Sequence, residues 1–185
     1  MVKHTILFIL VFLIFSKVFS STPGSRLIST HGYENCIVPL SKPNRFPKGY
    51  ISYGDGSVMQ FMPEAEENIQ VKEDFFLMLG PAKATKYVFD SDKGWMAYIT
   101  KNNLLFVKRY KYKKSDKYGE MSASPLSIWY KDETMAELEP IGPWVWIKPN
   151  GKASYSETWH LLPYSYPQNK VVDVEKINAI ASNLK

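Results

Sequence analysis

Apolar and polar positions along this chain fall mostly into short runs broken by turn residues, and that pattern predicts strands. Residues 35–40 form a β-like run ended by Pro39, and 41–49, with Pro43, Pro47 and Gly49, read as a loop. Residues 50–53 and 58–62 flank Gly54-Asp55-Gly56, which has the composition of a hairpin turn. The acidic stretch 64–74 reads as a loop. An apolar strand over 75–79 stops at Gly80-Pro81, and 83–89 is a short extended run.

Three further hairpins are expected. Residues 94–100 and 104–110 are joined by Lys101-Asn102-Asn103, and Asn tolerates positive φ. Residues 126–130 and 135–139 are separated by Lys131-Asp132-Glu133. Residues 144–148 and 153–162 are separated by Pro149-Asn150-Gly151, the strongest local turn signal in the chain. Only 173–184 carries a helical period, with Val174, Ile177, Ile180, Ala181 and Leu184 on one face and Asp173 as N-cap. Strands at this spacing predict an all-β fold, an antiparallel β-sandwich over 33–166, with a C-terminal α-helix in the tail 167–185.

The N-terminus reads as an address. Lys3 and His4 precede an unbroken apolar run over 6–15, too short to span a bilayer as a helix. Val18 and Ser20 fit a signal-peptidase site after Ser20, so 1–20 is expected to be a cleaved signal peptide and the mature protein secreted or periplasmic. Residues 21–32, rich in Ser, Thr, Gly and Pro, read as a flexible leader. No later segment is apolar and long enough to span a membrane.

Composition then narrows the function classes. Aromatic residues make up 15% of 185, which favours strands and stacking surfaces over a coiled coil. The single cysteine, Cys36, excludes an internal disulfide. A net charge of +5 is too mild to imply a nucleic-acid partner. No phosphate-binding glycine loop, zinc spacing or nucleophile elbow is present, so no cofactor or metal is expected.

The candidate chemistry lies late in the chain. Glu137 and Glu139 are two apart on a strand and share a face, where carboxylates can hold sugar hydroxyls or one can act as a base. Trp144 and Trp146 share a face, as do Glu157, Trp159 and Leu161, and indole faces pack against sugar C–H groups. Arg109 and His160 complete the candidate binding set. Residues 108–117 are basic with interleaved tyrosines, suited to an acidic glycan or to solvent.

Several segments also carry a resemblance. Asp92-Lys93-Gly94-Trp95-Met96-Ala97-Tyr98 precedes Leu104-Leu105-Phe106-Val107-Lys108-Arg109-Tyr110. Then follow Glu137-Leu138-Glu139-Pro140-Ile141-Gly142-Pro143, Lys148-Pro149-Asn150-Gly151 and Ser156-Glu157-Thr158-Trp159-His160-Leu161. Over 35–163 this order resembles the C-terminal half of an uncharacterised family with the galactose-mutarotase (aldose-1-epimerase-like) sandwich. The resemblance implies a carbohydrate ligand, with Glu139 where such enzymes carry their base. Family members are longer, and no histidine lies between His31 and His160 to serve as the acid. The expectation is an exported, carbohydrate-binding relative without catalysis; the alternatives are an epimerase-like enzyme using Glu139, or a protein-interaction module. A sheet shortened in this way predicts an exposed edge, met by a homodimer or by the C-terminal helix.

Overall fold

The computed structural model describes residues 25–28, 35–54, 58–132 and 135–185. The expected signal peptide and the centre of the Gly54-Asp55-Gly56 turn lie outside them. Two six-stranded antiparallel sheets make the β-sandwich that the strand pattern predicts. The first sheet contains β2 (Asn35–Pro39), β5 (Ile69–Lys72), β6 (Phe75–Met78), β8 (Trp95–Thr100), β9 (Leu104–Tyr110) and β12 (Glu157–Pro163), in the order β12-β9-β8-β2-β6-β5. The second contains β1 (Ser25–Ile28), β3 (Tyr50–Tyr53), β4 (Met59–Gln60), β7 (Lys86–Phe89), β10 (Leu126–Asp132) and β11 (Met135–Pro140), in the order β1-β11-β10-β7-β3-β4. One α-helix, α1 (Val174–Asn183), follows.

The period-2 rule divides most apolar residues between two large cores, with a smaller third cluster of Phe46, Ile51, Tyr53 and Val88. Between the sheets lie Val38, Phe76, Met96 and Phe106 from one side and Tyr50, Phe89, Ile128 and Leu138 from the other. Phe76 and Phe89 meet across the gap with ring centroids 4.7 Å apart. On the outer face of the first sheet, Ile37, Leu77, Trp95, Ile99 and Val107 pack beneath Val174, Ile177 and Ala181 of α1. Strands β2, β6 and β8 are therefore buried on both faces, which is why they read as continuous apolar runs.

Local chemistry sets the turns and caps. Asn103 closes the β8–β9 hairpin at φ 59, and its carbonyl and side-chain oxygens accept from the backbone N–H groups of Tyr164 and Tyr166, each at 2.9 Å. Gly94 sits at φ 69, and a Cβ there would lie 2.8 Å from the Tyr110 carbonyl oxygen. Asp173 caps α1 as expected, its Oδ1 accepting from the Lys176 N–H at 3.0 Å.

The structure departs from the sequence reading in four places. Residues 69–72, inside the stretch read as an acidic loop, form edge strand β5, because Ile69 is drawn into the core while Gln70, Val71 and Lys72 stay exposed. Ser25–Ile28, within the stretch read as leader, pairs with β11. Residues 144–148 form no strand, and the last strand begins at Glu157. The Pro149-Asn150-Gly151 turn does form, with Asn150 at φ 62 and the Gly151 N–H on the Lys148 carbonyl at 2.8 Å. It lies in a crossover, because β12 pairs with β9 in the first sheet while β11 belongs to the second. Finally, α1 covers a sheet face and not an edge.

If α1 seals the outer face, Ile177→Ala should lower the unfolding free energy by about 2–5 kcal/mol. Asp173→Ala should cost about 1 kcal/mol. Urea denaturation measures both, and a loss well below 1 kcal/mol for Ile177→Ala would contradict a sealing role.

Candidate functional site

Alternation along the strands decides where each candidate points, and it sends them to different sides of the sandwich. Leu138 enters the core, so Glu137 and Glu139 face outward from the second sheet. There Glu139 joins a compact polar cluster with Lys86 of β7, Ser127 of β10 and Glu120, which precedes a single 3-10 turn (Met121–Ala123). Ser127 Oγ donates to Glu139 Oε2 at 2.7 Å and lies 3.1 Å from Glu120 Oε2. Lys86 Nζ is 2.7 Å from Glu120 and 3.3 Å from Glu139. Glu120 also accepts from the Met121 N–H at 2.7 Å.

This electrostatic arrangement holds Lys86 and Glu120 in their ionised forms. Burial pushes the Lys86 ammonium down, but the two carboxylates outweigh it and its pKa stands above the ordinary lysine value. Burial pushes Glu120 up, but the hydrogen bonds from Lys86 and the Met121 N–H outweigh it and hold its pKa below the ordinary glutamate value. Glu139, placed by resemblance as a base, is thus already bound to an ammonium and a hydroxyl.

Arg109 and His160 lie on the opposite outer face, under α1. Arg109 Nη1 donates to the carbonyls of Ala181 at 2.5 Å and Leu184 at 2.8 Å. Those are the oxygens a helix C-terminus leaves without partners, and a cation there also suits the helix dipole. His160 is buried opposite Val107 in the same register. The candidate set is therefore split by the thickness of the sandwich, and Arg109 and His160 do not share a site with Glu137 and Glu139.

The basic run 108–117, read as meeting an acidic glycan or solvent, begins instead with a residue that lies between the sheets. Lys108 is 1% exposed. Its Nζ crosses from β9 to the Leu138 carbonyl of β11 at 2.6 Å. It is 3.3 Å from Glu157 Oε2 and 5.4 Å from the Trp159 ring centroid. Trp159 Nε1 donates to the same Glu157 oxygen at 2.9 Å. Burial lowers the Lys108 pKa, opposed by Glu157 and Glu139. Glu157 and Trp159, read as a possible sugar face, instead satisfy this buried ammonium. The signal was present: Phe106, Lys108 and Tyr110 share a strand face, and its other two members are core aromatics.

Trp144 and Trp146 are the candidates that remain on the surface. They are 42% and 80% exposed, Val145 and Ile147 beside them are exposed too, and the two indole centroids lie 5.5 Å apart at 37°. The Trp144 N–H donates to the Lys117 carbonyl at 2.6 Å, and Tyr118 bridges to Pro143. A groove of about 460 Å³ opens elsewhere, between α1 and the β5–β6 turn, beside Asp74, Phe75, Lys93 and Glu175. Asp74 is paired with Lys42 at 2.6 Å there, and none of the sequence candidates lines it. Among the described residues no cluster of His, Cys, Asp and Glu is arranged to hold a metal, and no helix is long and apolar enough to cross a membrane. Cys36 is a buried free thiol. Compared with known proteins, the chain matches no family model, no curated protein and no solved structure.

Two outcomes follow from the buried charges. Glu120, with its pKa held low, stabilises the fold above the glutamate reference of 4.5 and loses that contribution as pH falls through its folded value. Lys86, with its pKa held high, stabilises below 10.5 and loses that contribution as pH rises through its folded value. The urea midpoint measured against pH should therefore fall on the acid side of 4.5, and Glu120→Gln should flatten that acid limb. Separately, Glu157→Leu strands the Lys108 ammonium and should cost about 3–5 kcal/mol, while adding Lys108→Met should restore most of it. Equal instability of the single and double variants would contradict the pairing.

Proposed function

We propose that this chain is an exported carbohydrate-binding β-sandwich protein without catalysis. The observation that carries the reading is the Trp144–Trp146 pair. Two adjacent indoles stand exposed beside Val145 and Ile147 while most large apolar side chains of the described residues are buried. A continuous exposed apolar surface of this kind marks a contact site, and indole faces suit the C–H face of a sugar ring. The export half of the reading rests on the charged and apolar pattern of residues 1–20.

Glu139 supports a reading without catalysis. An epimerase base must accept a proton, and this carboxylate is already engaged by Lys86 and Ser127. The second titratable group that such chemistry needs is not supplied by His160, which lies on the other outer face of the sandwich.

A glycan array probed with the purified protein should give binding that Trp146→Ala removes without changing the melting temperature. Binding to no glycan would overturn the reading. Anomer interconversion of free aldoses, followed by proton NMR, should be unchanged by the protein; acceleration abolished by Glu139→Gln would return Glu139 to the role of base.

A further inference from the structure

The two loops that meet at Trp144 carry an unusual charge. Residues 111–118 contribute Lys111, Lys113, Lys114 and Lys117, and 148–152 contribute Lys148 and Lys152; Asp116 is the single carboxylate in either stretch. All six lysines are exposed. Elsewhere, Lys42, Lys86, Lys93 and Lys108 each have a carboxylate within 3.3 Å, and Lys48 and Lys170 are met by the uncharged oxygens of Pro63 and Asn68. Among the described residues none of the six has an ion pair.

The two loops are held together and shaped without using those charges. The Trp144 N–H bonds the Lys117 carbonyl at 2.6 Å. The Tyr118 hydroxyl accepts from the Lys113 N–H at 2.9 Å and donates to the Lys113 carbonyl at 3.1 Å. The Tyr112 and Tyr118 rings stack with centroids 5.6 Å apart and planes 11° from parallel. On the other side of the indole pair, the Lys148–Gly151 hydrogen bond closes a turn in which a Cβ on Gly151 would lie 2.9 Å from the Lys148 carbonyl oxygen. The result is an exposed indole pair with ammonium groups on the chain to either side of it.

We propose that the ligand of this surface is a polyanionic glycan, a polymer with repeated carboxylates that the lysines meet while its sugar faces pack on Trp144 and Trp146. The inference rests on the carbohydrate reading above and adds the substrate class. Like charges placed together without counter-charges repel, and a ligand that supplies the missing anions relieves this. Lysine is a flexible point charge, so it suits repeated anions along a polymer better than a single fixed group. A neutral sugar would use the indoles and leave the six ammonium groups without a role.

The test compares polygalacturonate with its fully methyl-esterified form, which keeps the sugar backbone and removes the charge. Binding of the purified protein, measured by calorimetry, should be about tenfold tighter for polygalacturonate at low salt and should weaken as sodium chloride rises through the range where exposed charges are screened. The triple variant Lys117→Gln, Lys148→Gln, Lys152→Gln should lose about tenfold in affinity for polygalacturonate and leave binding of the ester unchanged. Trp146→Ala should weaken binding to both polymers. Equal affinity for the two polymers would overturn the anionic assignment and leave the carbohydrate reading standing. Polygalacturonate binding unaffected by Trp146→Ala would reduce the surface to simple ion exchange and overturn it as well. Binding to neither polymer, with binding to vesicles containing phosphatidylglycerol, would overturn it in favour of a lipid surface.

Discussion

Strands β2, β6 and β8 are apolar on both faces, and such strands need cover on both sides. The second sheet supplies one cover through Phe89, Ile128 and Leu138. The amphipathic helix supplies the other through Val174, Ile177 and Ala181. Each fully buried side chain of this size contributes about 1.5–3 kcal/mol, so an uncovered face would remove much of the stabilisation that holds the domain. The helical tail is therefore part of the folded unit, and the hydrogen bonds of Arg109 to its last carbonyls fix its end against β9.

The same requirement consumes most of the charged residues that could have served chemistry. Lys108 lies inside the sandwich and takes Glu157 and Trp159 with it. Glu139 is taken by Lys86 and Ser127 on the outer face of the second sheet, and Arg109 by the helix. A polar group in or near a core must be satisfied or it costs stability, and each of these has found its partners within the fold. The pair of loops that cross between the sheets is held by its own hydrogen bonds, and there the exposed indoles coincide with six exposed lysines that form no ion pair among the described residues.

The candidate site was legible only in part. Trp144 and Trp146 are exposed with their rings side by side, though on a loop and not on the strand expected for them. Their supposed partners Glu137, Glu139, Arg109 and His160 sit on strands whose faces point to opposite sides of the molecule. Period 2 gives the relative face of residues within one strand, but which face meets the core depends on the strand's partner across the gap. The Pro149-Asn150-Gly151 signal shows the same limit. The turn forms, yet the strand after it joins the other sheet, and a local turn signal contains no information about that choice.

Local pattern sufficed for the all-β class, the β8–β9 and β10–β11 hairpins, the apolar strands and the capped helix, because each rests on spacing and turn chemistry within a few residues. Tertiary structure alone decided that β12 pairs with β9, that Ile69 draws an acidic stretch into an edge strand, that α1 covers a face, and that Lys108 is buried against Glu157. Apart from the local pairing of β5 with β6, these are contacts between residues far apart in the chain. Their free energy comes from burial and pairing across the sandwich, so local pattern cannot express them until the sheets have met.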